Sequence, residues 1–96
     1  MKKRSKEMQN KVRETAYDLL SEHDGNEMLC SDLADLVNNY FRHSINGKAL
    51  GMILRQQVIA GTIVKRDARS GGFSERYWKL EDVSKEEFLN PPKSVA

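Results

Sequence analysis

Lys48, Met52, Arg55 and Gln56 succeed one another at spacings of four, three and one, so on a helix they share a face. Such a set makes and breaks no bonds. It offers cations and amide groups to a surface that the helix can lie against. Arginine pairs bidentately with guanine, glutamine with adenine, and Lys48 or the Asn46 amide can hold a phosphate near the helix N-terminus. A second set comes directly after it. Lys65, Arg66, Arg69 and Arg76 flank Ser70-Gly71-Gly72, a tip of small residues that lets a sugar-phosphate backbone come close. Phe73 beside it can pack on the hairpin or stack on an unpaired base, and packing is the commoner role of a single aromatic. Each set has a plain competitor, the solvated charged face. For an isolated helix that competitor is the better account; the immediate succession of helix and basic hairpin reverses the judgement.

Other reactive side chains are poorly placed for chemistry. His23 and His43 stand twenty residues apart with no cysteine or carboxylate at ligand spacing, which predicts structural or exposed imidazoles. Cys30 is the only cysteine, so an internal disulfide and a Cys-rich zinc site are excluded, and a small buried thiol is the default. Asp18, Glu22, Asp32 and Asp35 fall on predicted solvent faces. No Walker-type phosphate loop, nucleophile elbow or zinc-protease helix occurs. The expectation is a protein that is not an enzyme and needs no cofactor or metal.

These residues need elements to position them. Met8, Val12, Ala16, Leu19 and Leu20 recur at helical spacing from about Lys6 to Glu22, and Asp24-Gly25-Asn26 supplies the turn. Met28 and Leu29 fit a very short strand. Ser31 is expected to N-cap a second helix whose stripe is Leu33, Leu36, Val37, Tyr40 and Phe41. His43 to Asn46 make a turn, and Asn46 caps a third helix with Ile45 stapled to Leu50. That helix should run unbroken to Gly61, burying Leu50, Ile53, Leu54 and Val58, while Gly47 and Gly51 admit the close approach of another backbone. Thr62–Arg66 and Arg76–Leu80 alternate as paired strands around a nine-residue loop, Asp67–Glu75. A connection longer than the usual two to five residues points to function. Trp78, Leu80 and Ile63 should seal the core. Ser84-Lys85-Glu86-Glu87 has capping-box spacing and starts a short helix through Phe88 and Leu89.

At 96 residues, 39% hydrophobic and 31% charged, the chain suits one modest core. The predicted division is a flexible basic arm (1–5), a main domain (6–82), a C-terminal helix (83–90) and a disordered tail (91–96). No apolar run reaches the roughly 20 residues of a membrane span, and the basic start is succeeded by no apolar segment; a cytoplasmic protein without a membrane partner is expected. Net charge is only +2, but it is segregated. Residues 14–35 hold seven acids and no Lys or Arg, whereas residues 42–79 hold eight bases and two acids. A positive region therefore coincides with the helix–hairpin unit.

Over residues 6 to 80 the chain resembles the winged-helix (winged helix-turn-helix) superfamily. The matching pieces are Ser31-Asp32-Leu33-Ala34-Asp35-Leu36, Lys48-Ala49-Leu50-Gly51, Ile59-Ala60-Gly61-Thr62-Ile63-Val64 and Tyr77-Trp78-Lys79-Leu80. The segment KALGMILRQ is similar, more weakly, to C-terminal winged helices of phage and plasmid primase–helicases. One departure stands out: Ala34 and Leu50 are sixteen residues apart, more than in compact repressor helix-turn-helix units. The resemblance implies an α+β fold, a three-helix bundle with a β-hairpin wing, and DNA contact by helix three and the wing. The expected partner is double-stranded DNA, bound by a transcriptional regulator that dimerises through its first helix and the segment around Phe88 and Leu89. Two alternatives stay open. One is a replication or mobile-element accessory that binds DNA, including single-stranded DNA, with little sequence preference. The other is a winged helix serving as a protein-interaction module.

Overall fold

The computed structural model describes residues 6–41, 45–70 and 73–91, with the backbone alone for 68–70 and 73–74. The expected arm, the turn residues 42–44, Gly71, Gly72 and the tail from Pro92 on lie outside the described residues.

Helix α1 spans Lys6–Glu22 and buries Val12, Ala16 and Leu20, one residue every fourth position. It ends in a short 3₁₀ turn at Asp24–Asn26, where Gly25 takes the positive φ of 69° that glycine adopts without cost. Strand β1 (Glu27–Leu29) comes next, then α2 (Cys30–Phe41). α2 begins one residue earlier than expected, so Ser31 lies inside its first turn and does not cap it. Its buried residues are Leu33, Ala34 and Val37. Leu36 and Tyr40, expected in the core, are exposed.

The third helix is interrupted. Gly47–Ile53 forms α3 and Arg55–Ala60 forms α4, with Leu54 between them at φ −90° and ψ 6°. At this break a donor reaches in from α1: the Arg13 Nε donates to the Ile53 carbonyl at 2.9 Å, forty residues away in sequence. Asn46 caps α3 as expected, its side chain accepting from the Ala49 amide at 2.8 Å. Ile45 and Leu50 are both buried in the same core. The inward positions run Leu50, Ile53, Leu54 and Gln57; Val58 is turned out instead. Gly61, at φ 79°, ends α4 in the left-handed conformation.

Strands β2 (Ile63–Ser70) and β3 (Phe73–Leu80) are paired from Ile63↔Leu80 to Ser70↔Phe73. The expected nine-residue loop is thus largely strand, with two residues left between the paired ends. Its length carries no functional meaning. β1 adds to the other side of β3, giving an antiparallel sheet of order β1-β3-β2. Directly paired residues share a face, so Met28, Trp78, Ile63 and Leu80 meet beneath the helices, all but sealed from solvent. Lys65, paired with Trp78, and Arg76, paired with Asp67, continue that same face outward. Arg66 and Tyr77 lie on the opposite one.

Ser84 caps α5 (Lys85–Leu89), accepting from the Glu87 amide. This helix is part of the core rather than an appendage. Phe88 is fully buried and its ring sits 5.3 Å from that of Tyr17. The Tyr17 hydroxyl donates to the Val83 carbonyl at 2.8 Å, and Lys85 bridges Asp18 at 2.8 Å and Glu14 at 3.5 Å. Of the surface expected to hold a second copy, Phe88 and the Tyr17 side of α1 are thus packed against each other within one chain. The result is an α+β fold with five helices and a three-stranded antiparallel sheet among the described residues. None of its helices is long and apolar enough to cross a membrane.

Candidate nucleic-acid interface

The inward stripe of α3 and α4 fixes what the outer face must present. With Leu50, Ile53, Leu54 and Gln57 turned in, Lys48, Met52, Arg55 and Gln56 are all exposed, as the spacing required. Across the break at Leu54 three of the four stay together, and Gln56 is not among the residues that line their groove. Lys48, Met52 and Arg55 line one open groove of about 370 Å³, joined by Gly51 and Val58 from the same helices. Its other wall is Lys65 and Trp78 of the sheet.

Lys65 is positioned by its neighbours. Its ammonium lies 4.9 Å from the centre of the Trp78 ring, within the range at which a ring face attracts a cation. A Cβ on Gly51 would meet the Lys65 Nζ at 3.8 Å, an ordinary contact distance. The close approach expected at the two glycines is thus that of a side chain, at Gly51 alone; around Gly47 nothing comes near. Lys48, Arg55 and Lys65 take part in none of the ion pairs among the described residues. Among the described residues no acid lines the groove. Three uncompensated cations against apolar walls form a surface for an anion that also carries a nonpolar face.

The remaining expected contacts separate from this groove. Arg66 reaches from β2 across the Tyr77 ring, 5.2 Å away, to the Glu27 carboxylate, which accepts from its Nε at 3.1 Å and from one terminal nitrogen at 2.9 Å. That side chain is neutralised on the far face of the sheet. Arg76 pairs with Asp67 at 3.3 Å, so it faces the helix side but with its charge opposed. Asn46 spends its carbonyl oxygen on the cap. The side chains of Arg69 and Ser70, like Gly71, lie outside the described residues.

Two features escaped the sequence. Val58 and Trp78 line the groove although both read as core. Arg13, which no motif of the sequence singles out, works inside the fold: burial lowers its pKa, and its guanidinium also donates to Asn10 and Gln9. Its spacing to Ile53 is too long for any local pattern to reveal. Elsewhere the chemistry is sparse. Partial burial pushes the Cys30 thiol above its ordinary pKa, and no cluster of three metal-ligating side chains occurs among the described residues. Comparison with protein-family models gives no match for this chain, and comparison with curated proteins gives no significant relative.

Proposed function

We propose that this chain is a small DNA-binding protein of winged-helix layout. In this reading α3 and α4 enter the major groove of duplex DNA and the β2–β3 hairpin tracks the flanking backbone. The observation that carries it is the groove between helix and sheet, where Lys48, Arg55 and Lys65 converge with no opposing acid among the described residues. The major groove admits a helix. In this reading Arg55 reads guanine, Gln56 adenine and Met52 a thymine methyl, while Lys48 and Lys65 hold phosphates. Transcriptional regulation is the simplest use of such a module. One copy buries little surface, so a second on an adjacent half-site would supply the specificity.

Salt dependence tests the reading quantitatively. Two phosphate contacts give a slope of log affinity against log salt of about −1.8, and Arg69 would add roughly one further contact. Replacing Lys65 by Gln should make the slope shallower by about one unit. Arg66→Gln, which removes a cation already paired to Glu27, should leave it unchanged. Fluorescence anisotropy of a labelled duplex at several salt concentrations measures all three. A flat dependence for the wild type would reject the reading, and selection from random duplexes then separates a regulator, which enriches one motif, from an accessory that enriches none.

A further inference from the structure

Among the described residues the exposed large apolar side chains number five, and they fall into two places. Leu36 and Tyr40 stand on the outer face of α2; Met52, Val58 and Ile59 stand on α3 and α4, with Met52 and Tyr40 each 72% exposed. The two places carry opposite charge. Beside Leu36 and Tyr40 are Asp32 and Asp35, both exposed and in no ion pair among the described residues. Beside Met52 and Val58 are Lys48, Arg55 and Lys65, equally uncompensated. Glu14, Asp18, Glu27 and Asp67, by contrast, each have a cation of the same molecule in reach. In each of the two patches, unpaired charges of one sign thus border exposed apolar side chains.

We infer that the outer face of α2 in one copy of this chain docks into the α3–α4/β2 groove of another. A second copy meets each need at once. Leu36 and Tyr40 offer apolar groups to Met52 and Val58, and Asp32 and Asp35 offer carboxylates to Lys48, Arg55 and Lys65. Two copies related by a twofold axis through either patch would set like charges against each other, which costs free energy. Head-to-tail association avoids that cost. Because the two patches share no residue, each copy keeps one free head and one free tail, and such contacts extend into chains unless the rotation closes a ring. The patches are small, so the association is weak and driven by concentration. It also covers the residues of the proposed DNA contact, yet it rests on the two patches alone.

Two substitutions on exposed side chains test it with the full-length protein. Met52→Asp spoils the groove and leaves α2 intact; Tyr40→Asp spoils α2 and leaves the groove intact. Sedimentation velocity over a concentration series should show the wild-type mass rising to at least twice the monomer value. Each variant alone should stay at the 11.0 kDa monomer, with circular dichroism verifying its fold. The equimolar mixture should form a one-to-one heterodimer that grows no further, since one intact head meets one intact tail. A wild type monomeric at every concentration overturns the inference. So does a variant that still associates alone, or a mixture that does not combine.

Discussion

Arg13 and Arg66 show how little a count of basic residues says about binding. Both contribute to the positive balance of the chain, yet each is engaged within the fold, one on the Ile53 carbonyl and one on the Glu27 carboxylate. Arg13 in addition satisfies the Ile53 oxygen at the point where the helix turns aside. Replacing it by Ala leaves that half-buried oxygen without the donor that satisfies it. The expected loss is about 1–3 kcal/mol, and each kcal/mol lowers the melting temperature of a domain this size by about 4–8 °C. Thermal unfolding of Arg13→Ala measures it. DNA affinity per folded molecule, and its salt slope, should stay where they were, since the side chain is turned into the structure. A fall in slope without a fall in stability would place Arg13 on the nucleic acid instead.

Among the elements, α5 decides whether the main domain ends at residue 82 or extends through Leu89. Phe88 is fully buried against Tyr17, and its carbonyl accepts from the buried Gln57 side chain at 3.1 Å. Phe88→Ala should therefore cost about 3–5 kcal/mol, and Ser84→Ala, which removes only the cap, about 1 kcal/mol. Urea denaturation of the two variants checks both. The Lys85 ammonium adds a pH-dependent part. Its pKa is raised above 10.5, foremost by the hydrogen bond to Asp18, so its contribution is present at neutral pH and disappears as alkaline pH passes the raised value. The helical elements were largely legible because each buries a regular stripe: α1, the core side of α2 and the capped start of α3 are all given by spacing. The illegible parts have a physical reason in each case. The outer halves of β2 and β3 carry polar residues on both faces, so the burial alternation that reveals a strand is missing between Asp67 and Glu75. Leu36 and Tyr40 fit the α2 stripe by spacing but stay exposed in the fold. Gln57 is buried because a carbonyl thirty-one residues away receives its amide, and no local rule anticipates that. At the candidate site, Lys48, Met52, Arg55 and Gln56 were readable from one helix face. The separation of Lys65 from Arg66 required the strand register.

At the level of the molecule, the charge segregation of the sequence survives folding only in part. The internal pairs formed by Lys85, Arg66 and Arg76 remove much of it. The cations of the groove and the acids of α2 remain. One surface thereby has two proposed occupants of similar character, a phosphate backbone with base edges and the acidic, partly apolar α2 of a second copy. The two cannot fill the groove together, so each must weaken the other by mass action. Adding a short duplex to the self-associated wild type should disperse it to protein–DNA complexes carrying one protein per groove contact, seen as a fall in the protein-only species by sedimentation. Tyr40→Asp, which keeps its groove but cannot insert its α2, should bind the same duplex more tightly than the wild type at high protein concentration and equally well at low concentration. That concentration dependence is the discriminating reading. If Tyr40→Asp and the wild type bind alike at every concentration while the wild type still associates, the second copy docks somewhere other than the DNA surface.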